Sequence, residues 1–216
     1  MNKFFIFCFL YVSAISSISA QNIDYKWIKA INGIDETRGF SKVVSHTTTY
    51  VSVGVPVAMS VVALIEHDDE MLRNSIYVFA ANTVFNTLFT QSIKGIANRP
   101  RPFAAYPDDI TQYDFGVGHS HSFPSGHTSQ AFATATALTL KYPRWYVVAP
   151  SYAWACSVGY SRMNLGVHYP SDVAVGAALG AGSAYITYLL NEWFWKKTND
   201  KKILAENQIS EKNFWY

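Results

Sequence analysis

Three short stretches of this chain carry the residue types that phosphoryl transfer requires: Lys94 with Arg101, then Ser125-Gly126-His127, then Arg162 with His168 and Asp172. That reaction asks a protein for positive charge around the phosphate oxygens, an in-line nucleophile and an acid for the leaving oxygen. His168 and Asp172 stand four apart, but Pro170 disfavours a helical Tyr169, so one continuous helix through both is not expected. Asp172 instead falls near the N-cap of the apolar run that follows. From there its carboxylate can accept a bond from one imidazole nitrogen of His168 and leave the other free to attack phosphorus. A lone His–Asp pair is more often structural than catalytic. Arg162, six residues earlier, changes that balance.

In the middle stretch, glycine permits close backbone approach to an anion, and the free N–H groups of a helix start form an anion site. Ser125 and Gly126 are therefore candidate phosphate cradlers, and His127 is a candidate acid. By itself the stretch also reads as a Ser/Gly helix cap followed by an incidental histidine. Lys94 ends an uncharged run, and Arg101 follows between Pro100 and Pro102. An Arg fork suits phosphate oxygens bidentately, whereas Lys acts as a point charge. Arg99 is left as an interfacial or headgroup-facing residue.

In this order and spacing the stretches resemble the signature of the type 2 phosphatidic acid phosphatase superfamily. That pattern reads Lys94, six residues, Arg101-Pro102; then Pro124-Ser125-Gly126-His127; then Ser161-Arg162, five residues, His168, three residues, Asp172. The likeness runs from about Lys94 to Gly180 and says little of residues 21–70. It implies His168 as nucleophile oriented by Asp172, and His127 as acid and then base. Lys94, Arg101, Arg162, Ser125 and Gly126 are implied to hold phosphate, with no metal and no cofactor. Among substrates, lipid A phosphates, undecaprenyl diphosphate, phosphatidylglycerol phosphate and phosphatidate all fit, with lipid A leading. Three alternatives stand beside this: a soluble periplasmic acid phosphatase, a vanadate-dependent haloperoxidase and a non-catalytic membrane binding protein. The pair His127 and His168 argues against the last, since binding alone needs no leaving-group acid.

These residues must be positioned by helices. Five segments lack Asp, Glu, Lys and Arg: Val43 to Ile65, Asn74 to Ile93, His127 to Leu140, Trp145 to Ser161 and Val173 to Asn191. A bilayer core calls for about 20 residues of helix. Three segments are long enough, Trp145 to Ser161 sits at the margin, and His127 to Leu140 is short enough to be an ordinary buried helix. The expected fold is an all-α bundle, multi-pass transmembrane, with five helices after a signal peptide or six if it is retained. Threading these helices through a membrane puts all three stretches on one face. The lysines at 196, 197, 201 and 202 suit the opposite, cytoplasmic side. The expected location is thus a bacterial inner membrane with a periplasm-facing site. Asn82, Asn86 and Thr90 repeat every four residues toward Lys94 and read as bundle-facing hydrogen-bond groups. Gly176 and Gly180 read as a close helix–helix contact.

Composition narrows the classes. Of 216 residues, 50% are hydrophobic and only 15% charged, against roughly 25% in soluble domains, which points to a membrane. A net charge of +2 with no basic reading motif excludes nucleic acid as a partner, and no obligate protein partner is evident. Residues 1–20 run basic, apolar, then small, the order of a signal peptide, although Ile18 weakens the cleavage site and a first transmembrane helix remains the alternative. After it come a polar segment at 21–42, a helical phosphatase domain at 43–192 and a basic tail at 193–216. His119 and His121, one residue apart with no nearby Cys, make a poor metal site and read as polar loop residues at the mouth. Phe103, Tyr106, Tyr113, Phe115 and Phe123 suit either an aromatic rim or loop packing.

Overall fold

The computed structural model describes the backbone of residues 23–116 and 121–213, with side chains to residue 198 except Phe85. The leader at 1–20, His119 and the side chains of Lys201 and Lys202 lie outside the described residues. A short helix, α1, covers residues 23–32. It is followed by α2 (Arg38–Glu66), α3 (Asp69–Phe79), a π-helical turn (Ala80–Phe85), α4 (Asn86–Ala97), α5 (Pro102–Ala105), α6 (Gly126–Lys141), α7 (Trp145–Asn164) and α8 (Pro170–Asn213). No strand occurs among the described residues.

The bundle is built polar side in. Along α2 the buried positions are Ser41, Ser45, Thr48, Ser52, Pro56 and Ala63. The exposed positions include Val43, Tyr50, Val57, Val61, Leu64 and Ile65. On the outer face of α8, Tyr185, Ile186, Leu189, Leu190, Trp193 and Phe194 are likewise exposed. A soluble helix turns its apolar stripe to the core. The reversal here is what lipid as solvent demands, and α2 and the first 29 residues of α8 are each long and apolar enough to cross a bilayer. The inward polar groups bond between helices: Thr134 Oγ1 donates to Ser52 Oγ (3.0 Å), Trp154 Nε1 to Thr47 Oγ1 (2.9 Å) and Tyr77 OH to the Ala184 carbonyl (3.0 Å).

The short helix α6 is the hub. Its Ala- and Thr-rich surface is buried on most sides, and it packs most extensively on α8 and then α7. Glycine sets how close α8 comes: a Cβ on Gly180 would lie 2.0 Å from the Ser129 carbonyl oxygen, and one on Gly176 2.7 Å from that of Ser125. Of the Asn/Thr ladder, Asn82 sits in the π-helical turn and donates to the Ser52 carbonyl of α2 at 2.7 Å. Asn86 and Thr90 both meet Ser129 of α6. All three are buried, as expected, and they bond to two neighbouring helices.

Candidate active site

Antiparallel packing brings two helix C-termini and two helix N-termini to one end of the bundle, and three of the four carry the charge their dipole favours. Lys94 lies in the last turn of α4 and Arg162 in the last turn of α7; Asp172 lies in the first turn of α8. The start of α6 supplies free amides. Ser125 is its N-cap, with Oγ accepting from Thr128 N at 3.5 Å and sharing a 2.8 Å bond with Thr128 Oγ1. The N–H groups of Gly126 and His127, first in that helix, have no acceptor among the described residues. A Cβ on Gly126 would come within 3.9 Å of Lys94 Nζ, so that ammonium lies against the helix start.

The five-residue spacer between Arg162 and His168 is a reversal built on one backbone acceptor. The Arg162 carbonyl receives the N–H groups of Val167 (3.2 Å) and His168 (3.3 Å). Gly166 turns the chain at φ +75°, where a Cβ would stand 2.3 Å from the Thr111 carbonyl oxygen. Pro170 then starts α8 at its first position. Asp172, two residues on, reaches back so that Oδ2 accepts from Tyr169 N at 2.9 Å, the back-reaching half of a capping box. The same oxygen faces His168 Nδ1 at 3.5 Å, long for a hydrogen bond but oriented as the sequence predicts. The other ring nitrogen, Nε2, lies 3.2 Å from Arg101 Nη1, which also donates to the Val167 carbonyl at 2.9 Å. Burial first, then the Arg162 and Arg101 charges, push the His168 imidazolium down to about 4, against the pull of Asp172. The ring is therefore neutral at ordinary pH. Burial and Arg162 also lower Arg101, to about 10, which leaves it charged.

Arg162 is fully buried. Its Nη1 donates to Asp114 Oδ2 at 2.8 Å and to Ser45 Oγ, while Nε and Nη2 have no partner among the described residues. Two adjacent N–H groups of a fork, buried beside Lys94, Arg101, His127 and His168, fit a tetrahedral oxyanion. Burial raises the Asp114 carboxyl, and Arg162 beside it more than offsets this, holding it below the usual range.

All eight sequence-predicted site residues thus gather at one end, and Ser125 N donates to the Asp172 carbonyl at 3.1 Å, tying the second stretch to the third. Three residues that pair with this cluster were missed. Asp114 had no pattern marking it. Asp24 is far away in sequence, and Arg99 was misassigned: it points inward, ion-paired to Asp172 and Asp24 at 2.7 Å each, because two buried carboxylates need a cation. Its doubled Arg-Pro context was the available signal. The aromatic rim also divides: Phe103 is buried in a cluster with Ile28, Leu165 and Val167, and Tyr113 packs on it, while Phe115 is exposed.

A family model for the PAP2 superfamily matches residues 72–196, well over half of the chain, and the protein belongs to that superfamily. Among curated relatives, a lipid A 1-phosphatase of Rhizobium johnstonii is 35% identical over 109 residues, 50% of this chain and 44% of that protein. A lipid A 1-phosphatase of Rhizobium etli is 33% identical over 116 residues, 53% and 49% of the two chains. The chain thus spans about half the length of these relatives. Among solved structures, Aquifex aeolicus LpxE superposes with a TM-score of 0.62 at 26% identity, covering 76% of this chain and 93% of that one. The transmembrane PAP2-type phosphatidylglycerolphosphate phosphatase of Bacillus subtilis gives 0.66 at 22% identity, over 87% and 94%, a likeness of fold.

Proposed function

We propose that this protein is a lipid phosphate phosphatase working through a phosphohistidine. His168 Nε2 attacks phosphorus as the bond to the lipid oxygen breaks. His127, held neutral in the free protein at about 3 by burial and then by the Arg162 and His168 charges, takes up a proton when the phosphate dianion sits beside it and gives that proton to the leaving oxygen. His127 then takes a proton from water, which attacks the phosphohistidine; the P–N bond breaks and inorganic phosphate leaves. Lys94, Arg101, Arg162, Ser125 and the Gly126 amide neutralise the spreading charge. The observation that carries this reading is the buried Arg162 fork, with Nε and Nη2 unpartnered beside a neutral His168.

The leading substrate is a lipid A phosphate, supported by the lipid A 1-phosphatases among its relatives. The site faces the periplasm, as does the polar segment at 21–42, and the basic tail lies on the cytoplasmic side, in keeping with the lysines at 196 and 197. The test is phosphate release by purified protein from lipid A, undecaprenyl diphosphate, phosphatidylglycerol phosphate and phosphatidate in detergent micelles. Lipid A is expected to give the highest kcat/KM. Faster turnover of a water-soluble ester than of every lipid would overturn the lipid assignment.

A further inference from the structure

The family match begins at residue 72, yet α1, at residues 23–32, lies against the catalytic end through a buried carboxylate. Asp24 is only 5% exposed. Its Oδ1 accepts from Ser171 N at 3.0 Å, and its Oδ2 accepts from Ser171 Oγ and from Arg99 Nη2, the latter at 2.7 Å. Ser171 N is one of the orphan donors at the start of α8, so Asp24 caps that helix from 147 residues away. Arg99 in turn uses Nη1 to donate to Ser171 Oγ and to Asp172 Oδ1, both at 2.7 Å. Its guanidinium lies 3.9 Å over the Tyr169 ring.

Both oxygens of Asp172 are thereby assigned. Oδ1 accepts from Arg99, and Oδ2 accepts from Tyr169 N and faces His168 Nδ1 at 3.5 Å. A carboxylate torsion is broad and roughly two-fold, so a carboxylate anchored on one side alone can rotate its acceptor away. Arg99 fixes the plane. Asp24 fixes Arg99, and it offsets the charge that would otherwise draw Asp172 off the histidine. We propose that Asp24, Arg99 and Ser171 form a positioning network that holds Asp172 in register with His168, so that α1 is a working part of the catalytic apparatus. None of the three touches the reacting atoms; their action passes through Asp172. The inference rests on the phosphohistidine reading above.

The test uses the full-length protein in detergent micelles, with lipid A and para-nitrophenyl phosphate as substrates. Misplacing a catalytic group by about 1 Å can cost about 100-fold, so Asp24→Ala and Arg99→Gln are each expected to lower kcat about 10- to 100-fold. KM should stay within about twofold, because phosphate binding is left intact. Acting in series, the two changes are expected to be non-additive: the double variant should be no slower than the worse single one. Arg99→Lys and Asp24→Asn, which keep a cation and an acceptor respectively, should recover part of the loss, and they remain informative if the harsher variants do not fold. Tyr25→Phe, on the same helix but bonded to Asp109, is expected to keep wild-type kcat. Unchanged kcat in Asp24→Ala and Arg99→Gln, a loss confined to KM, or fully additive losses would each overturn the network. Wild-type activity in His168→Ala would instead sink the phosphohistidine reading itself.

Discussion

The two polar ends of this bundle, roughly 24 Å of α6 apart, handle their cations in opposite ways. At the far end a cavity of about 180 Å³ is lined by Glu70, Arg73, Asn74, Lys141, Asn191, Glu192 and Trp195. Lys141 there is paired to Glu192 at 2.6 Å and sits 4.9 Å from the Tyr188 ring centroid, and Arg73 lies over Trp195. Each of these cations has found its partner inside the protein. At the candidate catalytic end Arg162 keeps two donors without a partner among the described residues, while Lys94 and Arg101 stand within electrostatic range of it. Concentrated, incompletely neutralised charge is costly to bury, and it persists where a ligand completes the pairing. Similar residue types are therefore paired within the protein at one end and, on the proposed function, left for a ligand at the other.

The largest expected effect that would sharpen this contrast comes from the nucleophile. His168→Ala should lower kcat on the order of 10⁴-fold or more and abolish acid-labile, base-stable phosphoprotein. His127→Ala should still label with para-nitrophenyl phosphate, whose leaving group needs no proton. Next comes Arg162→Lys, which keeps the charge and removes the fork. Loss of an oxyanion donor costs about 10²–10³ in kcat, and vanadate inhibition should weaken in parallel. If Arg162→Lys matched wild type, the contrast between the two ends would collapse.

A smaller effect is written in pH. In the proposed mechanism the nucleophile is the neutral imidazole of His168, which is held at about 4 against an ordinary value of 6.5. Phosphoenzyme formation from para-nitrophenyl phosphate should therefore hold level down to about pH 5 and fall as pH drops through 4. An unperturbed histidine would be only about one-tenth neutral at pH 5.5, so a limb near 6.5 in rapid-quench labelling would contradict the buried geometry. The smallest change belongs to the far end. Lys141→Ala breaks a partly exposed pair, which should cost about 1 kcal/mol or less in a detergent melt and leave kcat unaltered.

The sequence disclosed the site better than the scaffold around it. That Lys94, Arg101, Ser125, Gly126, His127, Arg162, His168 and Asp172 would gather was legible because the chemistry a phosphate site would need has few solutions and their spacings follow from local turns, such as the Gly166 reversal. The five helical segments were legible from missing charge. What stayed hidden depends on distance along the chain: Asp24 meets Arg99 across 75 residues and Asp114 meets Arg162 across 48. No periodicity encodes such a meeting. The π-helical turn at Ala80–Phe85 was equally invisible, because shifting a helix face by one residue needs no special composition.

The serine and threonine stripe on the inner face of α2 bears finally on calorimetry. Helices that separate inside a bilayer keep their valine and leucine faces in lipid and uncover mainly hydroxyls, glycine and alanine. Little apolar surface would meet water, so the heat capacity of such a separation should fall well short of the roughly 12–15 cal/mol/K per residue of a soluble domain. Thermal stability of this bundle would then vary with temperature along a nearly straight line.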